Sequence, residues 1–122
     1  MDLSDEQIAY LRSQRLGRLA TVRPDGDVQN NPVGFWLDDQ GRILIGGLAL
    51  GRSQKFRNVR HHPQVAFVVD DLASVDPWQP RMVEIRGTAE ALRDQETRPG
   101  FSGELIRITP ERVIAFLDAP VG

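Results

Sequence analysis

Two tight turns within residues 1–41 restrict the start of this chain to short antiparallel β-strands. The turns are Pro24-Asp25-Gly26-Asp27 and Asp38-Asp39-Gln40-Gly41, which carry proline, aspartate and glycine where β-turns favour them. We expect strands over residues 16–22, 28–37 and 42–47, and three strands joined by such turns would form a meander. Pro32 marks an edge, a bulge or a strand end, because proline cannot donate a backbone hydrogen bond.

Further strand patterns follow in the second half of the chain. Residues 64–69 are strongly apolar, and residues 81–92 alternate between two faces. Residues 105–117 indicate one bent strand or a strand pair around Pro110, whereas residues 70–80 and 93–104 are polar and are predicted as loops. A capping box at Ser4 and Gln7 predicts a helix over about residues 4–14, and a second helix is expected near residues 53–60.

These elements predict a mainly β fold of the α+β class, with about six antiparallel strands, an N-terminal helix and one inserted helix. Sheets of this size usually close to remove their edges, so a small barrel with peripheral helices is the most economical architecture. A chain of 122 residues is long enough for one core, and we expect a single domain over residues 1–122.

Composition excludes several classes of function. The absence of cysteine removes disulfides, zinc–thiolate sites, iron–sulfur clusters and thiol nucleophiles. The net charge of −2 gives no overall attraction to nucleic acid. No apolar run approaches the roughly 20 residues that span a bilayer, and the acidic N-terminus is unlike a signal peptide. We therefore expect a cytoplasmic protein with neither nucleic acid nor membrane as partner.

A basic segment between two strands, residues 46–63, is the best candidate for a binding site. It opens with small residues and leads into the start of the inserted helix, where free N–H groups and nearby cations favour a phosphate. The alternative is that the cations form the solvated face of a short helix, and composition alone does not decide between the two. The residues assigned to the phosphate site are Gly47 in the glycine-rich turn, Ser53 near the helix start, and the cations Arg52, Lys55 and Arg57.

Two other segments carry candidate ligand contacts. The run Gln29-Asn30-Asn31-Pro32 contains poor strand formers within a strand pattern. It either forms a bulge at a sheet end or hydrogen-bonds a polar heteroaromatic ring, and these alternatives stay open. Trp78 lies in a proline-rich loop and is assigned to cover a ligand, whereas Trp36 is expected in the core or at a dimer contact.

No residue qualifies as a metal ligand or a catalytic acid. His61 and His62 are adjacent and cannot share one helical face, and no carboxylate completes a site with them. Tyr10, the only tyrosine, is expected near the surface of the first helix. The sequence also lacks the GxSxG, Walker, GxGxxG and HExxH motifs. Redox chemistry remains open to such a chain, because a bound cofactor can carry the reaction.

The order and spacing of several segments resemble the pyridoxamine 5′-phosphate oxidase-like superfamily over nearly the whole chain. These segments are Leu16–Val22, Asn31–Val33, Arg52–Val59 with His62-Pro63, Val65–Asp71 and Arg81–Glu90. Ser53-x-Lys55 followed by Arg57-Asn58, with the late segment Ile108–Val113, is similar to the small actinobacterial branch that uses the deazaflavin coenzyme F420. Ala115-Phe116-Leu117 departs from the Ser-Trp-Gly found in relatives, which puts substrate preference in doubt.

The resemblance implies a split β-barrel homodimer with cofactor sites at the subunit interface. It places Lys55 and Ser53 at the cofactor phosphate, with Arg52 and Arg57 nearby. The strand that contains Gln29, Asn31, Pro32 and Val33 would line the ring. The implied activity is hydride transfer from reduced F420 to an activated double bond. The alternatives are an FMN-binding oxidoreductase or flavin reductase of the same fold, and a non-catalytic flavin- or deazaflavin-binding protein.

Overall fold

A computed structural model describes residues 2–118 and contains two α-helices and seven β-strands, one strand more than the six predicted. The elements are α1 (Asp5–Arg12), β1 (Leu16–Val22), β2 (Val28–Gly34), β3 (Trp36–Leu37), β4 (Ile43–Ile45), a 3₁₀ turn (Leu50–Arg52), α2 (Gln54–His61), β5 (Gln64–Ser74), β6 (Gln79–Leu92) and β7 (Leu105–Phe116). Both helices lie where the sequence predicts them, and the mainly β class is confirmed.

The strand order shows how the sheet becomes a barrel. All seven strands belong to one antiparallel sheet in the order β2-β1-β5-β6-β7-β4-β3. The two edge strands, β2 and β3, are consecutive in the chain, and only Phe35 lies between them. The sheet must therefore curl until its edges approach each other, as a split β-barrel does.

The extra strand arises where one strand was expected over residues 28–37. Phe35 is buried, and its ring meets that of Phe67 edge-on with 5.1 Å between centroids. This burial interrupts the ladder after Gly34, so the chain crosses from one sheet edge to the other. The predicted meander is wrong, because β4 pairs with β3 and β7 and not with β2. Pro32 lies in an edge strand, one of the places predicted for it.

The predicted loop over residues 70–80 is also wrong, because β5 continues to Ser74 and β6 begins at Gln79. Its acidic residues suit a strand because neighbouring strands supply cations. Asp70 forms an ion pair with Arg18 of β1, and Asp71 pairs with Arg81 of β6. The polarity that suggested a loop therefore belongs to cross-strand ion pairs.

Residues 105–116 form a single bent strand, one of the two arrangements expected. Its pairing with β6 shifts register between Arg86 and Gly87, and Gly87 then lies opposite Pro110. A Cβ at Gly87 would overlap the carbonyl oxygen of Thr109. The bend therefore requires glycine at this position, because any larger residue would force the two strands apart.

The barrel core contains residues from every layer of the fold. The fully buried side chains include Leu11 of α1, Phe56 of α2, and Leu19, Phe67, Val83, Ile85, Ile43, Ile45, Ile106 and Ile108 of the sheet. The predicted capping box is confirmed: Ser4 Oγ accepts from the amide of Gln7 at 3.1 Å, and the Gln7 side chain accepts from the amide of Ser4 at 2.9 Å. Over residues 2–118, neither helix has the length and apolar character needed to cross a membrane.

Candidate functional site

The start of α2 is fixed by the hydroxyl of Ser53. Ser53 Oγ accepts from the amide of Phe56 at 3.2 Å and donates to the carbonyl of Leu50 at 2.7 Å. These two bonds join the 3₁₀ turn to the first turn of the helix. Because first-turn amides have no intrahelical acceptor, the N–H groups of Gln54 and Lys55 are available to an anion.

Within residues 2–118, the cations at this helix start have no acidic partner. None of the six ion pairs formed between described residues includes Arg52, Lys55 or Arg57. The first turn of α2 contains no acidic residue. Arg57 donates to the carbonyl of Arg52 at 2.9 Å and to Gln54 Oε1 at 2.8 Å, which holds its guanidinium beside the first turn. The arrangement suits a phosphate, since positive charge and free amides meet at one place.

A buried amide network connects this helix to the sheet. Asn58 is fully buried, and its Nδ2 donates to Thr21 Oγ1 at 2.9 Å and to Gln29 Oε1 at 3.0 Å. Its Oδ1 accepts from Gln54 Nε2 at 2.7 Å. Sequence reasoning assigned no role to Asn58, Thr21 or Gln54. The available signal was a polar residue at position 58 between Phe56 and Val59, on the face of α2 that packs against the barrel.

The strand predicted to line the ring divides its residues between two faces. Gln29, Asn31 and Val33 share the more buried face of β2, whereas Pro32 lies on the exposed face. The pairing of β1 with β2 is continuous from Leu16 to Val22, so the alternative of a bulge is wrong. The structure thus brings Gln29, Asn31 and Val33 together and separates them from Pro32.

Gly47 lies in the turn before α2 and is held by the long loop over residues 93–104. Its carbonyl accepts from the amide of Ser102 at 2.9 Å and from Ser102 Oγ at 3.1 Å. In the same loop, Glu104 Oε1 accepts from the amide of Gly51 at 2.9 Å. These bonds fix the backbone that leads into the helix start.

Trp78 lies apart from the other predicted site residues. It occupies the turn between β5 and β6, and its side chain is 63% exposed. Strand β5 begins at Gln64, just after α2, and its ten steps to Ser74 cover roughly 33 Å. Trp78 is therefore at the far end of the hairpin from α2 and does not reach the helix start within one chain. His61 and His62 are exposed, as expected.

Tyr10 is not near the surface, which corrects the expectation from sequence. Its side chain is 6% exposed, and its hydroxyl donates to Asp71 Oδ1 at 2.9 Å. Arg81 donates to the same carboxylate through Nε at 2.9 Å and Nη2 at 2.5 Å. Burial, followed by the bond to Asp71, raises the pKa of Tyr10 far above its ordinary value. Tyr10 therefore keeps its proton and joins α1 to the β5–β6 hairpin.

Comparisons with known proteins identify the family and the fold. A sequence profile of the pyridoxamine 5′-phosphate oxidase family matches residues 3–116. The chain is similar to a 5a,11a-dehydrotetracycline/5a,11a-dehydrooxytetracycline reductase from Streptomyces rimosus subsp. rimosus. The two are 47% identical over 119 residues, which cover 95% of this chain and 84% of that protein.

Two solved structures share the fold. A conserved hypothetical protein from Mycobacterium tuberculosis superposes with a TM-score of 0.75 at 25% identity, over 93% of this chain and 84% of the other. An FAD-binding protein from Mesorhizobium loti superposes with a TM-score of 0.68 at 20% identity, over 91% of this chain and 92% of the other. At that identity the second likeness concerns the fold alone.

Proposed function

Since the chain belongs to the pyridoxamine 5′-phosphate oxidase family, we propose that it is an oxidoreductase that uses coenzyme F420 to reduce an activated double bond. Its similarity to a reductase from Streptomyces rimosus supports reduction as the class of reaction. The observation that carries the cofactor proposal is the start of α2, where cations that form no ion pair with any described residue meet first-turn backbone amides.

The residues present fit the phosphate of such a cofactor. Lys55 and Arg52 supply positive charge, and Arg57 uses two of its five donors in bonds to described residues. The Ser53 hydroxyl already donates its hydrogen bond to the carbonyl oxygen of Leu50, so we assign it to capping the helix and not to donating to the phosphate. An anionic group bound at these amides is also stabilised by the helix dipole.

The chain's own residues act by binding and orientation. Asn58 fixes Gln29 on the sheet face that also carries Asn31, and these two half-buried amides are proposed to contact the ring, whereas Val33 on the same face is buried in the core. Bound in this way, reduced F420 would supply the hydride for one carbon of the double bond, and the proton for the other carbon would come from solvent. We assign no catalytic acid, because Tyr10 is buried and its hydroxyl already donates a hydrogen bond to Asp71.

A second copy of the chain is proposed to complete the site. The outward face of β5, β6 and β7 carries the apolar side chains Val68, Leu72, Met82, Ile114 and Phe116. Leu72 and Phe116 are 43% and 47% exposed, which favours a partner that covers them. In such a homodimer Trp78 could reach the cofactor of the other subunit. Analytical ultracentrifugation is expected to give a dimer, and a monomer at micromolar concentration would refute this part of the proposal.

FMN is the competing cofactor, because it also presents a phosphate and a tricyclic ring. Titration of the purified protein with F420 and with FMN, followed by fluorescence, separates the two. We expect tighter binding of F420, whereas tighter binding of FMN would replace the deazaflavin proposal with that of a flavin enzyme.

A non-catalytic binding protein is the second alternative. The test is to mix the protein with reduced F420 and a panel of enones and quinones and to follow cofactor oxidation by absorbance. We expect oxidation with at least one acceptor. Tight binding of F420 without oxidation by any acceptor would favour a protein that stores or shields the cofactor.

A further inference from the structure

A cleft of about 540 Å³ opens between the end of α1, the junction of β2 and β3, and the loop over residues 93–104. Its volume lies within the range of small-molecule sites. Its lining includes Arg12, Arg15, Trp36, Arg98 and Phe101, but none of the residues predicted to bind the cofactor. Trp36, expected in the core or at a dimer contact, is half-buried in its wall.

The chemistry of the lining is both cationic and aromatic. Among the residues that the structure describes, the cleft is lined by three arginines, Arg12, Arg15 and Arg98, and by no carboxylate. None of the three belongs to an ion pair between described residues. The guanidinium of Arg98 lies 4.6 Å from the ring centroid of Trp36, which places a cation beside an aromatic face.

The aromatic wall is held in place by close packing. The rings of Trp36 and Phe101 are 6.2 Å apart between centroids and inclined at 43°. A Cβ at Gly46 would lie 2.9 Å from Phe101 and 3.0 Å from Trp36, so glycine at this position allows both rings to approach the chain. The wall is therefore a preformed surface rather than a set of free side chains.

We propose that this cleft binds a flat, conjugated molecule that carries an acidic oxygen group, such as a carboxylate or an enolate. The aromatic rings offer stacking area, and guanidinium groups bind such oxygens through paired hydrogen bonds. This identification rests on the proposed function: the bound molecule is the acceptor whose double bond is reduced. Arg98 is then a specificity-determining residue for the charge of the acceptor.

The position of the cleft agrees with an acceptor site. Strand β2 runs from Gln29, which is bonded to Asn58 of α2, to Gly34 in the cleft wall. Five strand steps of about 3.3 Å separate these ends, roughly 17 Å in all. Asn31, which is proposed to contact the cofactor ring, lies between the helix start and the cleft.

Calorimetric titration with two probes tests the proposal. The probes are 1-hydroxy-2-naphthoate, which is planar and anionic, and 1-naphthol, which lacks the carboxylate. The variants are Arg98→Gln and, as a matched control, Arg93→Gln. Arg93 belongs to the same loop but lies 5.1 Å from the ring of Phe56, outside the cleft lining. Each variant is also titrated with F420.

We expect the wild type to bind the naphthoate about tenfold or more tightly than naphthol, because the carboxylate gains charge-assisted hydrogen bonds. Arg98→Gln should remove most of that difference and leave the affinity for F420 unchanged, and Arg93→Gln should leave the difference between the two probes as it is in the wild type. Equal binding of the two probes, or no binding of the naphthoate, would overturn the proposal. A loss of F420 affinity in Arg98→Gln would also overturn it, by assigning the cleft to the cofactor.

The F420 proposal can fail separately, because the naphthoate titration does not require the cofactor. If the wild type binds the naphthoate in the expected way but does not bind F420, the cleft stands as an anion site and the cofactor assignment falls.

Discussion

Replacement of Asn58 by alanine should destabilise the protein and loosen the helix that is proposed to bind phosphate. Asn58 is fully buried and makes three side-chain hydrogen bonds, to Thr21, Gln29 and Gln54. At about 1 kcal/mol for each bond, the loss is about 3 kcal/mol, and the partners left unpaired in the interior add to it. For a domain of this size, the melting temperature should fall by roughly 10 °C.

Urea unfolding followed by circular dichroism measures this change. Arg60→Ala, on the exposed side of the same helix, should change the free energy of unfolding by less than about 0.5 kcal/mol. Asn58→Asp keeps the volume but removes the donor to Thr21 and Gln29, and it should also be strongly destabilising. If Asn58→Ala lowered the free energy of unfolding by less than about 1 kcal/mol, the conclusion that this network holds α2 on the sheet would be refuted.

Two further predictions concern the sheet. Gly87→Ala should lower the free energy of unfolding, measured in urea, by about 1–3 kcal/mol, because the added Cβ would overlap the carbonyl oxygen of Thr109. Gly34→Ala is the control, since a Cβ at this position meets no neighbouring atom within 4 Å and should be nearly neutral. Equal losses in the two variants would contradict this explanation. The hydrogen bonds from Arg81 lower the pKa of Asp71 in the folded state. The ion pair therefore stabilises the protein fully at pH values above the ordinary aspartate pKa of about 3.9. This stabilisation is lost as the pH falls through the lower pKa of the folded state. The difference in free energy of unfolding between wild type and Asp71→Asn should therefore be constant at neutral pH and shrink below about pH 4, and a difference that persists or grows in acid would contradict it.

Much of the fold could be predicted because the local signals agree with the final structure. The capping box at Ser4, the turns after β1 and β3, and the alternation in β6 all depend on neighbours in the chain. The predictions fail where a residue distant in the sequence determines the local structure. Phe35 ends β2 because its ring packs on Phe67, and Asp71 stays in a strand because Arg81 faces it. Sequence alone does not reveal such partners.

The candidate site shows the same limit. The helix start was predictable, since Ser53 and the cations around it are local features of one segment. The role of Asn58 in α2 could not be predicted, because it depends on hydrogen bonds to Thr21 of β1 and Gln29 of β2. The cleft beside Trp36 was also missed, because its lining combines α1, the β2–β3 junction and the loop over residues 93–104.

Titration of F420 against wild type, Lys55→Ala and Arg60→Ala tests the central claim most directly. Both variants remove one positive charge from α2, but Lys55 lies in its first turn and Arg60 in its last. We expect Lys55→Ala to weaken the affinity for F420 by about tenfold or more, since a charge-assisted bond to the phosphate is lost. Arg60→Ala should bind F420 within about twofold of wild type. An unchanged affinity in Lys55→Ala would contradict the assignment of this helix start to the cofactor phosphate.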